Sequence, residues 1–141
     1  MPIFELFMQL PLFKGVDKDE LFSLISKVNL DFEKYRPGDV IVDSRMDSRG
    51  LVYLLNGKVN AHTISGERII SGPDLLSYLG LFGSNRHYSM DVTALETSSI
   101  LNIETKSLLF LLRNCQVFMI NYLDLLSDTI DKLSIEREIE I

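Results

Sequence analysis

Side chains able to do chemistry gather in one stretch of this chain, Gly80–Ala94, which reads GLFGSNRHYSMDVTA. Arg86, His87, Tyr88 and Ser89 follow one another there. Such a set suits ligand contact. A guanidinium pairs with an anion, backbone N–H groups at a helix start aim at a phosphate, and a tyrosine stacks on a ring. The rest of the chain is poor in catalytic material. Its histidines are His62 and His87, with no His-x-His pair of the kind that metal-dependent β-roll enzymes need. Cys115 is the only cysteine, so no internal disulfide and no iron–sulfur cluster of the four-thiolate kind can form within the chain. It reads as a half-buried apolar filler. No Gly-x-Ser-x-Gly and no Gly-rich P-loop occurs. The expectation is a non-enzyme with no metal site.

Bulk properties narrow the class further. A length of 141 residues with 46% hydrophobic content suits one domain, residues 1–141, with a real core. The net charge is −6 and the fourteen basic residues are scattered. A nucleic-acid grip needs them clustered. The apolar N-terminus MPIFELFMQLPLF has no basic leader and carries Glu5, so it does not read as a signal peptide. No apolar run approaches about 18 residues, so no membrane contact and a cytoplasmic location are expected.

The elements that must hold the Gly80–Ala94 stretch follow from periodicity. Apolar residues at 3, 4, 6, 7 and 8 predict a short helix that Pro11 breaks. Asp17 with Glu20 predicts a capping box, and a second helix ends near Val28. Leu30 and Phe32 alternate with acidic residues as in a half-buried strand, and Tyr35–Asp39 is a Pro-Gly turn. Val40–Val42 is a short strand and Ser44–Gly50 a polar loop. Leu51–Leu55 and Lys58–Ile64 read as strands joined by a tight Asn56-Gly57 hairpin. Ser65-Gly66 turns into Glu67–Ile70, and Tyr88–Ala94 and Ser98–Ile103 are two further strands. From Thr105 the pattern is helical. The fold class is mainly β with flanking helices. Residues 1–28 are N-terminal helices, 29–104 an antiparallel β-roll or jelly roll, and 105–141 C-terminal helices.

Particular residues inside this order resemble the sensor domain of CRP/FNR-type transcription regulators, a cyclic-nucleotide-binding-like domain. Leu10–Val16 resembles the family's opening segment, Tyr35–Ile41 its Gly-containing turn, and Val52–Val59 its Gly-marked strand pair. Leu79-Gly80-Leu81-Phe82 aligns with the Leu-Gly-Leu-Phe of the phosphate-binding cassette, and the match runs on through Ser89, Val92 and Ala94. The resemblance implies a pocket formed by Ser77, Tyr78, Leu79, Gly80, Arg86, Tyr88 and Ser89. It also implies a difficulty. The cassette's Glu position holds Tyr78 and its Arg position holds Tyr88. Losing a charge-assisted pair to a buried phosphate costs about 2–5 kcal/mol, tens- to thousands-fold in affinity. Ordinary cyclic-AMP binding is therefore not expected, and the effector is unknown. Some relatives bind haem; a single histidine beside the cassette, His87, is too little to expect it here.

The C-terminal helix carries Met119, Leu123, Leu126, Ile130 and Leu133 at spacings of 4, 3, 4 and 3, a heptad-like seam. Leu125 serves a second face. The resemblance implies that this helix makes a homodimer. It also implies that DNA is contacted only through a C-terminal helix-turn-helix domain absent from this chain. The function expected is effector sensing and dimerisation in such a regulator. The alternative is a stand-alone or fused regulatory module of the same fold in a protein that does not bind DNA.

Overall fold

The computed structural model describes residues 3–63, 66–78, 81–82, 88 and 90–140, and side chains from residue 5 to residue 132 within those ranges. The chain divides into two compact units, Asn29–Leu108 and Met1–Val28 with Leu109–Ile141.

The first unit is an antiparallel β-roll. Its strands are β1 (Leu30–Tyr35), β2 (Val40–Val42), β3 (Gly50–Asn56), β4 (Lys58–Thr63), β5 (Gly66–Ser71), β6 (Asp74–Ser77), β7 (Asp91–Ala94) and β8 (Ser98–Glu104). They form two four-stranded sheets, ordered β1-β8-β3-β6 and β2-β7-β4-β5. Except for the paired β4 and β5, consecutive strands thus turn a corner from one sheet into the other. Asn56-Gly57 is such a corner, not the hairpin that its sequence predicts. β3 spends both edges on β8 and β6, and β4 spends both on β7 and β5. Gly57 makes the corner at φ +111°, where a Cβ would meet Ser98. Gly72, at the matching corner between β5 and β6, donates to the Gly57 carbonyl at 3.0 Å.

Register decides which side chains enter the roll. Ile100 of β8 stands between Glu33 of β1 and Leu54 of β3, and Asn102 stands between Asp31 and Val52. Glu33 and Tyr35 therefore face inward, while Phe32 lies 51% exposed, the reverse of the alternation expected for this strand. Val59, Ala61, Val92 and Ala94 fill the second sheet's inner face. Two further expectations are corrected. The strand after the cassette begins at Asp91 and leaves Tyr88 outside it. β6 is an unexpected strand, hidden in sequence because Asp-Leu-Leu-Ser lacks β-branched residues.

The second unit holds α1 (Ile3–Met8), a 3₁₀ turn (Pro11–Phe13), α2 (Lys18–Ile25), the end of α3 (Thr105–Asn114) and α4 (Gln116–Glu140). Asp17 caps α2 by accepting from the Asp19 N–H at 3.2 Å, and the helix stops at Ile25, three residues early. Phe13 packs against Phe7 and Phe118 with ring centroids 5.2 and 5.0 Å apart. The Asn121 amide donates to the Leu12 and Lys14 carbonyls, both at 2.9 Å. Phe118 and Tyr122 form the buried stripe of α4, with Cys115 buried just before the helix and Leu125 only half-buried. Cys115 is fully buried rather than half-buried; burial pushes its thiol up, and the Glu20 carboxylate adds to that shift. Leu123 and Ile130 of the expected seam are exposed, Met119 and Leu126 are half-buried, and the Leu133 side chain lies outside the described residues. Among the described residues no single helix is long and apolar enough to cross a membrane.

Candidate functional site

A cavity of about 230 Å³ opens inside the roll. β1 contributes Glu33 and Tyr35 to its wall, and β8 contributes Ile100 and Asn102. The segment between β2 and β3 adds Asp43, Asp47 and Arg49, and Tyr88 closes the lining from the cassette side.

Local backbone chemistry fixes this wall. Asp43 accepts from the Arg45 N–H at 2.9 Å and pairs with the Arg45 guanidinium at 2.9 Å, which holds its carboxyl below the usual range. Ser44 donates from its N–H and hydroxyl to Asp91 at 2.8 and 3.0 Å. The Arg49 N–H donates to the Tyr88 hydroxyl at 3.0 Å, and the Arg49 carbonyl accepts from the Thr105 N–H and hydroxyl, both at 3.1 Å. The Tyr88 hydroxyl in turn faces the Gly50 carbonyl at 3.5 Å. Arg49 is thus pinned by its backbone, and its guanidinium reaches the Glu33 carboxylate at 3.4 Å.

Glu33 also accepts a hydrogen bond from the Tyr35 hydroxyl. Burial, then this bond and the negative charge beside it, push the Tyr35 phenol up to about 12. Burial draws the Arg49 guanidinium down, but the charge of Glu33 and the neighbouring tyrosines more than offset it, and the net shift is upward. Among the described residues, the buried Asn102 Oδ1 and Ser77 Oγ find no hydrogen-bond partner. Both residues pair with Val52, from opposite sides, so they belong to one row across the first sheet.

Of the residues expected to form the pocket, the structure brings Tyr88 to the cavity. Ser77 is buried on β6 and Tyr78 is half-buried after it, and neither lines the cavity. Leu79, Gly80, Arg86, His87 and Ser89 lie outside the described residues. His62 is exposed on β4, 3.6 Å from Glu67. Among the described residues no group of three or more His, Cys, Asp or Glu is placed to hold a metal. Sequence reasoning missed Glu33, Tyr35, Asp43, Asp47, Arg49 and Asn102. One of them carried a signal: Asn102 interrupts the apolar run Ile100-Leu101-Asn102-Ile103 of a central strand.

Residues 32–115, which contain the whole cavity wall, match the family model of the cyclic nucleotide-binding domain. The chain belongs to that family. The β-roll with flanking helices is the fold expected for it. No curated protein matches the chain by sequence. Among solved structures, the catabolite activator protein of Thermus thermophilus is similar at a TM-score of 0.77 and 21% identity, over 92% of this chain and 62% of that one. The sensor domain of the transcriptional regulator DNR from Pseudomonas aeruginosa is similar at 0.70 and 17%, over 89% and 91% of the two chains. The cAMP-bound PfPKA-R is similar at 0.68 and 17%, over 89% of this chain and 45% of that one. The chain thus spans less than two thirds of the Thermus activator's length.

Within the cyclic nucleotide-binding family, the cavity of this chain sits in the roll and touches the cassette through Tyr88.

Proposed function

We propose that this cyclic nucleotide-binding domain is the effector-sensing and dimerisation domain of a CRP/FNR-type transcription regulator, and that its cassette does not grip an ordinary cyclic nucleotide. One observation carries the second half. Tyr88 stands where the family's phosphate-pairing arginine is expected, and its hydroxyl is spent on the Arg49 N–H and the Gly50 carbonyl. Tyr78 at the glutamate position leaves no carboxylate there for a ribose hydroxyl.

In this reading a small effector in the roll shifts a two-state equilibrium in how paired C-terminal helices are placed. That requires the effector to favour one state. The exposed Leu123 and Ile130, with half-buried Met119 and Leu126 beside them, supply an apolar seam that the chain's own core leaves uncovered. The domain is non-catalytic, and DNA contact belongs to residues other than these 141. The likeness to PfPKA-R keeps a second reading in view, a regulatory module in a protein that does not bind DNA.

The test is a thermal-shift titration with cyclic AMP and cyclic GMP beside sedimentation of the free protein. A ligand that binds only the folded state raises stability by about 2.7 kcal/mol at a hundredfold excess over Kd. No shift and a dimer are expected. A saturable shift with either nucleotide overturns the degenerate cassette, and a monomer at all concentrations overturns the dimer seam.

A further inference from the structure

Arg49 is held at three points by three separate parts of the roll unit. Its N–H donates to the Tyr88 hydroxyl at 3.0 Å. Its carbonyl accepts from the Thr105 N–H and hydroxyl, both at 3.1 Å. Its guanidinium pairs with Glu33 at 3.4 Å. Tyr88 and Glu33 line the cavity, and Thr105 opens α3. Arg49 also stands in the wall of a second cavity of about 390 Å³, which Thr105 and Lys106 line. One residue thus stands between the space inside the roll and the start of α3.

A second observation concerns that helix start. The chain passes between its two compact units at Val28–Asn29 and again at Leu108–Leu109. The Asn29 N–H donates to the Ser107 Oγ at 3.0 Å, and Ser107 is buried. On the roll's side, both passages are therefore fastened to the first turn of α3. The neighbours of Arg49 confine where movement can occur. Gly50 is in register with Glu104, against backbone too close to admit a Cβ. Arg49 precedes that strand, and its backbone takes its hydrogen bonds from Tyr88 and Thr105. A change in one bond alters the freedom of the other, because both belong to one residue.

We propose that Arg49 is a positioning residue that couples the cavity to the first turn of α3 through the Tyr88 hydroxyl. An occupant that claims this hydroxyl releases the Arg49 N–H and loosens the hold on Thr105. This rests on the reading of the roll as an effector-sensing site, and it gives that site an output within the same unit.

The experiment is a double-mutant cycle on the whole chain, read by urea unfolding and by amide hydrogen exchange. Tyr88→Phe deletes one bond to Arg49, and Thr105→Val deletes another while keeping a branched side chain. The two substitutions are expected to be non-additive by at least about fivefold in the unfolding equilibrium constant. In Tyr88→Phe, the amides of residues 106–108 are expected to exchange at least about fivefold faster relative to those of β4 and β5, which report any general loss of stability. Additivity of the two substitutions overturns the proposal, as does exchange that rises equally in β4, β5 and α3. A coupled cycle in a chain that sediments as a monomer at all concentrations supports it and overturns the dimer reading alone.

Discussion

The Tyr88 hydroxyl accepts a hydrogen bond from the backbone N–H of Arg49 at 3.0 Å, tying the cassette to the start of β3. Tyr88 is buried and Arg49 sits just before a strand buried along most of its length. Tyr88→Phe keeps the ring and deletes this bond, leaving a backbone N–H without its partner. A loss of about 1–2 kcal/mol is expected in urea unfolding. An unchanged midpoint and slope would show that the bond contributes nothing to the fold.

Gly50 begins that strand in contact with β8. A Cβ there would run into the Ile103 carbonyl and lie 2.7 Å from Asn102 Oδ1 and 2.8 Å from the Glu104 Cα. Two of these neighbours are backbone atoms, which cannot swing aside. Gly50→Ala is expected to destabilise by about 3 kcal/mol or more. A variant that melts like the wild type would mean that β3 and β8 separate easily.

Alkaline pH tests the Tyr35–Glu33 pair. An unfolded phenol ionises near pH 10, roughly. Tyr35 in the fold ionises at about 12. The raised value means that its stabilising contribution is fully present below about pH 10 and falls away as pH rises toward 12. Tyr53 and Tyr122, raised by burial, lose stability in the same direction. Tyr35→Phe should therefore shallow the alkaline decline without abolishing it. Denaturant unfolding at a series of alkaline pH values reads this out, and an identical pH profile in the variant would refute it.

The two faces of α4 predict opposite phenotypes. Phe118 is fully buried against Phe13, so Phe118→Ala is expected to cost about 3–5 kcal/mol of stability. Ile130 is 60% exposed, so Ile130→Asp should leave the fold of the isolated chain within about 0.5 kcal/mol. In the proposed dimer it should instead abolish association. Sedimentation beside thermal unfolding separates the two, and a dimeric Ile130→Asp protein would place the interface elsewhere.

Several features were legible without coordinates because they are local. Asp17 reads as an N-cap because a carboxylate accepts an orphan N–H within its own turn. Gly57 reads as a turn because few other residues accept its positive φ. The helical pattern after Thr105 shows in α3 and α4, and the motifs that suggested the family lie within the matched span 32–115, apart from Leu10–Val16.

What the sequence by itself determined is most of the elements, β6 apart, and the family, since capping, turn chemistry and apolar period act within a few residues. Pairing decided the rest. Asn56-Gly57 is a corner and not a hairpin because β3 and β4 find partners far along the chain. Phe32 faces out and Glu33 in because the register with β8 sets the side, and a shift of one residue would reverse both. The cavity wall joins residues from 33 to 102, so no local pattern announces it. Glu33, Arg49 and Asn102, each ordinary in its own segment, meet at one space only when the strands pair.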